Sequence, residues 1–262
     1  MINYGTQDQD LYNEQKGLPA DAEALPGKAG EIAPAPPQGD GWVAEAVTAV
    51  EASITKLIDE FRVQPFIHRV EHSLHIRLVQ LLGEWEHLRG WYPIGDSGFK
   101  TQLIHKEWPE ARPRKKPDLT ADRRRGSFDL AVLAPSQLQG TALEQFRVGR
   151  IDAPIVIELG LNYGRQHLAG DRQKLANSEV QHPYLVHLSR MPSSRQGATE
   201  DVIAGISERP KIAYVHHDLE VREVSYRHLG SLDITKEKHR RGRQRDAVWS
   251  APSSVPCPPQ AG

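Results

Sequence analysis

The segment Pro154-Ile-Val-Ile-Glu-Leu-Gly160 limits what this chain can become. It is a run of β-forming apolar residues long enough for a buried strand, with one carboxylate, Glu158, set inside it. A second such strand, Ser127-Phe-Asp-Leu-Ala-Val-Leu133, carries Asp129. Burying an unpaired charge is costly, so two acids in neighbouring hydrophobic strands require a partner. Alternate residues of a strand share a face. Glu158 therefore lies with Val156 and Gly160, and Asp129 with Ser127 and Ala131. If the strands pair, the two carboxylates converge on one oxygen-rich pocket, which suits a hard divalent cation such as Mg²⁺ or Mn²⁺.

The surrounding pattern predicts an α/β fold, with a mixed central β-sheet flanked by helices. Val43, Val47, Val50, Ile54, Leu57, Ile58 and Phe61 recur at spacings of three and four, an amphipathic helix. Pro65 suits the first turn of a second helix running to about Trp85, with an apolar stripe of Ile67, Val70, Leu74, Leu78, Leu81, Leu82 and Trp85. Glu71 stands at the margin of that stripe, where a carboxylate either reaches solvent or points at something charged. Strands are expected at 101–108, 127–134, 154–161, 184–188 and 211–215, the last with a further extended stretch at 219–226. Helices are expected within 162–179 and over 199–208, and at most a short one between Pro135 and Arg150. His216-His217 follows the last clear strand and is expected in a turn.

The order from residue 66 is helix, three strands, helix, strand. With Glu71, Asp129 and Glu158-Leu159 in that order, the chain resembles the PD-(D/E)XK nuclease superfamily, the restriction-endonuclease-like fold. The resemblance covers about residues 66–190, and its motifs are short and degenerate. It implies an αβββαβ core, metal held by Asp129 and Glu158, assistance from Glu71 directly or through water, and a lysine serving the attacking water or the phosphate. The signature lysine position is Gly160, so Glu-X-Lys is broken. Some members of the superfamily supply the lysine from the following helix, and here that residue is Lys174. The alternative for Lys174 is an ion pair with Asp171 or Glu179 on a solvated face. Gly160, Gly164 and Gly170 are expected to open space beside Glu158 or to allow the turn into the following helix.

Other signals are electrostatic. The loop before the Asp129 strand carries Arg112, Arg114, Lys115, Lys116, Arg123, Arg124 and Arg125, diluted only by Asp118 and Asp122. It is expected to contact phosphate oxygens. Residues 1–40 are acidic and rich in Pro and Ala, and are expected to be a disordered arm. Residues 231–262 are expected to be a disordered tail, basic and then Pro-rich, leaving one domain over 41–230. His68, His72 and His75 share helical spacing but lack the His-Glu-X-X-His register of a metalloprotease. Gly160, Gly164 and Gly170 do not have the dinucleotide-binding spacing. Cys257, the only cysteine, excludes an intramolecular disulfide. With no signal-peptide pattern and no apolar run near ~18–20 residues, a soluble, intracellular, cytoplasmic protein is expected.

The functional expectation is a Mg²⁺- or Mn²⁺-dependent endonuclease, a phosphodiester hydrolase acting on DNA ahead of RNA and not on membranes. A homodimer is left open, since many related nucleases pair to cut two strands. The alternatives are a catalytically silent nucleic-acid-binding or assembly module that keeps the fold, and a structural protein whose acids pair with the loop arginines.

Overall fold

The computed structural model describes residues 41–111, 126–176, 178–192, 199–204 and 209–238. The acidic arm 1–40, the basic loop 112–125 and the tail from 239 onward lie outside the described residues, so the seven loop bases have no structural assignment.

Helix α1 (Gly41–Val63) buries the stripe read from sequence, with Val50, Ile54, Leu57, Ile58 and Phe61 fully enclosed. The second helix is shorter than its periodicity suggests. Helix α2 is Glu71–Gly83, and Val70 before it is extended (φ −128°, ψ 156°). Residues 65–70 form turns, because the Arg190 guanidinium takes the carbonyls of Pro65, His68 and Arg69 at 2.6–2.9 Å. Those carbonyls are thereby diverted from helical bonding. Ile67 and Val70, expected in the core, are exposed. Leu74, Leu78, Leu81 and Leu82 are buried as expected.

The segment expected as one strand over 101–108 breaks at Gln102-Leu103. Its first part forms a small hairpin, β1 (Tyr92–Pro93) with β2 (Lys100–Thr101), and its second is β3 (Ile104–Pro109). The remaining strands are β4 (Ser127–Val132), β5 (Ile155–Leu161), β6 (His182–Ser189), β7 (Lys211–Asp218), β8 (Glu223–Arg227) and β9 (Thr235–Lys238). Two short helices, α3 (Pro135–Gln139) and α4 (Leu143–Arg147), link β4 to β5. Helix α5 (Arg165–Ala176) crosses from β5 to β6, and α6 (Thr199–Ala204) precedes β7.

Strands β3 to β9 form one seven-stranded sheet in chain order. The β5–β6 and β6–β7 pairs are parallel and the others antiparallel, so the sheet is mixed and the protein α/β. Two expectations change here. His216 and His217 belong to β7 and are buried, not in a turn. Thr235–Lys238 pairs with β8 and extends the sheet past residue 230, into the stretch expected to be disordered.

Strand parity sorts the two faces. Tyr184 and Lys211 both reach Glu51 of α1, and His217 Nε2 donates to the Phe61 carbonyl at 3.1 Å. The face holding Ile157, Tyr184 and His217 is therefore the one α1 covers. Glu158, Gly160 and His187 point to the opposite face, toward α5.

Candidate carboxylate and lysine site

The site forms where β4 and β5 part. Their antiparallel ladder runs Val132↔Ile155, Ala131↔Val156 and Leu130↔Ile157 and stops there. One step further the Asp129 carboxylate replaces the ladder: its Oδ2 accepts the Leu159 N–H at 2.8 Å. The same register sets Asp129 across from Glu158, on the α5 face. The convergence expected from the alternation of the two strands is present.

Glu158 is almost wholly enclosed, its side chain 3% exposed. Lys174, near the C-terminal end of α5, reaches back over the sheet and places Nζ 2.6 Å from Glu158 Oε1. The same ammonium donates to the Ser127 carbonyl at 2.9 Å and lies 5.8 Å from the Phe128 ring centroid. Lys174 is thus spent on the β4–β5 strand ends and not on a solvated pair with Asp171 or Glu179. The contact with Glu158 is close but poorly aligned, leaving Oε1 buried without a well-directed hydrogen bond.

Gly160 plays a different part from the one expected. The space beside it is already filled: a Cβ there would lie 2.5 Å from Tyr163 Cδ2 and 3.0 Å from His187 Nδ1. No lysine fits at 160, which gives a steric reason for the ammonium to come from α5. The Tyr163 ring stacks on His167 (centroids 3.8 Å apart), and His187 lies nearly parallel between Tyr163 and Tyr214 at 6.3 and 5.9 Å. Burial drives the His187 imidazole down to about 3, so it is neutral near pH 7.

From the first turn of α2, Glu71 and His75 close the pocket. His75 Nε2 lies 3.9 Å from both Glu71 Oε1 and Asp129 Oδ2. The imidazole is 5% exposed, and neither ring nitrogen has a hydrogen-bond partner. Burial and then Glu71 raise the Tyr163 hydroxyl above its ordinary range, so the turn after β5 and the start of α2 are neighbours across the site. Asp171, 3.6 Å from His167 Nε2, completes the acidic wall. Of the His68, His72 and His75 set, only His75 enters the site; His68 lines the outer surface of the α1–α2 pair.

The electrostatics are those of a carboxylate group short of positive charge. Burial pushes Glu158 up to about 9 despite Lys174, with Asp129 and Asp171 adding repulsion. Asp129 and Asp171 are raised by the same desolvation. His75 is lowered, burial outweighing the attraction of Asp129 and Glu71. Clusters in which burial and like charge shift several groups together are candidates for functional sites.

Among the described residues, no group of three or more His, Cys, Asp or Glu side chains stands arranged to hold a metal ion. Mg²⁺ asks less of a protein: one or two carboxylates, with water and phosphate oxygens completing its shell. Asp129 and Glu158 meet that requirement in chemistry, and Glu158 Oε1, held 2.6 Å from the Lys174 ammonium, is the atom a cation would take over.

Sequence reasoning named Glu71, Asp129, Glu158 and Lys174, and the fold brings all four together around the β4–β5 split. It missed Tyr163, His167 and Asp171, and set His75 aside. Asp171 and His167 lie on the Lys174 face of α5 at helical spacing, a signal available in the sequence. No protein-family model, curated protein or solved structure matches the chain. Among the described residues no helix is long and apolar enough to cross a membrane.

Proposed function

We propose that this protein is a divalent-metal-dependent nuclease that hydrolyses phosphodiester bonds, with DNA the preferred substrate. The observation that carries the reading is the position of Lys174: an ammonium delivered from α5 to Glu158 at 2.6 Å, where the missing Glu-X-Lys lysine would otherwise act. The helix, three-strand, helix, strand order of α2, β3, β4, β5, α5 and β6 supports it, as does the split between β4 and β5 at the two acids.

In this reading Asp129 and Glu158 hold Mg²⁺ or Mn²⁺, and Glu71 assists directly or through water. The cation supplies polarisation of the phosphodiester and a more acidic water. With Glu158 engaged as a cation ligand, Lys174 Nζ would be available to orient the attacking water or offset charge developing at phosphorus. His75 excludes solvent behind Asp129. The basic loop 112–125 is the proposed contact for backbone phosphates, giving affinity that falls with salt and carries no base preference.

The test is cleavage of plasmid and linear DNA by the full chain with Mg²⁺ or Mn²⁺. Activity should vanish in chelator and in Asp129→Ala, Glu158→Ala and Lys174→Ala. Cleavage that survives both acid substitutions rejects the site. A second reading, a silent nucleic-acid-binding module, draws on the Glu158–Lys174 pair, which occupies both groups with each other. It is favoured by salt-sensitive DNA binding with no cleavage under either metal.

A further inference from the structure

The turn between β5 and α5 builds a second feature at the rim of the site. Asn162 takes a left-handed conformation (φ 60°), which asparagine adopts more readily than most residues. Its N–H donates to the Leu188 carbonyl at 2.8 Å and its Oδ1 accepts the Arg190 N–H at 2.9 Å, so the turn is pinned to the end of β6. The turn brings Tyr163 back over Gly160, and its ring fills the space a side chain there would need. His167, in the first turn of α5, lies flat on that ring, with 3.8 Å between centroids and 17° between planes. The His187 plane departs from that of Tyr163 by 29°, and the Tyr214 plane from that of His187 by 12°. Four near-parallel rings thus lead from the enclosed Tyr214 and His187 through half-buried Tyr163 to His167. The series ends in solvent, with the His167 side chain 57% exposed.

We infer that His167 is a stacking platform for one unpaired nucleobase, so that the site takes single-stranded DNA, or an unpaired end, ahead of duplex. The inference rests on the nuclease reading for its ligand and adds the state of the strand. Three observations select an unpaired base. The first is the open face. Tyr163 covers one face of the imidazole, and the exposure belongs to the other face and the edge. A base within a duplex has its own faces covered by its neighbours and offers only edges in the grooves, so a ring presented face-on serves a base that has left the stack. The second is rigidity. Tyr163 behind the ring and Asp171, 3.6 Å from Nε2, hold the imidazole before anything binds, which reduces the entropy lost when a base arrives. The third is reach. Lys174 follows His167 by seven residues of α5, about 10 Å along the axis. That is about three steps of a strand at ~3.4 Å each, so a base on His167 and a phosphate at Lys174 can belong to one short segment.

The test is fluorescence anisotropy of the full chain in chelator, with a short labelled single strand of DNA and the duplex of the same sequence. The single strand should bind about fivefold tighter or more, the low end of what one base stacked on a ring contributes. His167→Ala should erase that preference with an unchanged far-ultraviolet circular dichroism spectrum. His167→Trp, which restores a flat face, should keep the preference or increase it, an outcome that a purely structural role for His167 would not produce. Should His167→Ala fail to fold, His167→Trp decides alone by whether the preference holds. Equal affinity for strand and duplex in the wild type overturns the inference, as does a preference that survives in folded His167→Ala. If the same chain still cuts DNA with Mg²⁺ or Mn²⁺, the nuclease reading stands without the platform. A His167-dependent preference in a chain that cuts with neither metal upholds the platform and rejects the nuclease.

Discussion

Under the proposed function, Glu158 couples cation binding to proton release. Its carboxyl is pushed up to about 9 in the metal-free protein, so at pH 7 it holds its proton. A ligand carboxylate must be ionised, and stripping that proton at pH 7 costs on the order of 3 kcal/mol. Mn²⁺ should therefore bind about 100-fold more weakly at pH 7 than on the plateau above pH 9, gaining about tenfold per pH unit in between. The sign for folding runs the other way. A carboxyl raised above its unfolded value contributes stability that is full below the unfolded range near 4.3 and is lost as pH rises through about 9. Metal-free protein should thus lose stability across this window, while the thermal shift produced by Mn²⁺ should grow. Calorimetric titration at pH 7 in two buffers of different ionisation enthalpy reads the proton directly, with close to one released per cation. Glu158→Gln should abolish both the release and the tight binding. A pH-independent affinity with no proton release in the wild type refutes the argument.

Three further outcomes follow from the geometry. Asp129→Asn keeps an oxygen for the Leu159 N–H but removes the charge, so stability should change by less than about 1 kcal/mol while cleavage falls by at least ~100-fold, read by melting and DNA nicking. Gly160→Ala drives a Cβ to 2.5 Å from the Tyr163 ring and should cost about 1–3 kcal/mol in urea unfolding; Tyr163→Ala in the same chain should recover most of it, and no recovery would place the strain elsewhere. His75→Leu removes two unbonded ring nitrogens and should raise stability by about 1 kcal/mol. The same variant should lower cleavage, and unchanged cleavage would assign His75 to packing alone.

Much of the fold was legible because burial writes itself into period. The three-and-four spacing of α1 and the continuous apolar runs of β4 and β5 specify their elements and the face each acid takes. Helix α2 was overextended for a physical reason: Ile67 and Val70 continue its apolar period, but Arg190, more than a hundred residues away, claims the carbonyls that would continue the helix. No local pattern reports that competition. His216-His217 looked like a turn because paired histidines are polar, yet His216 Nε2 finds the Met191 carbonyl at 2.6 Å and His217 that of Phe61. Gly160 was misjudged in the same way. A glycine beside an acid suggests room, and only the fold shows an aromatic ring already standing in it.

Arg190 has a consequence for when the site exists. Its guanidinium moors the segment just before Glu71 to the end of β6. A chain emerging from synthesis has Asp129 and Glu158 in hand before β6 is complete, and the start of α2 then has its contacts with Asp129 and Tyr163 but lacks the Arg190 mooring. Contacts across such a span form late, since their loop-closure entropy must be met first. Glu71 is therefore the last of the acids to be fully fixed in place. Under the proposed activity, the protein acquires its ability to cut only once the sheet is built through β6, and an unfinished chain is harmless to nucleic acid.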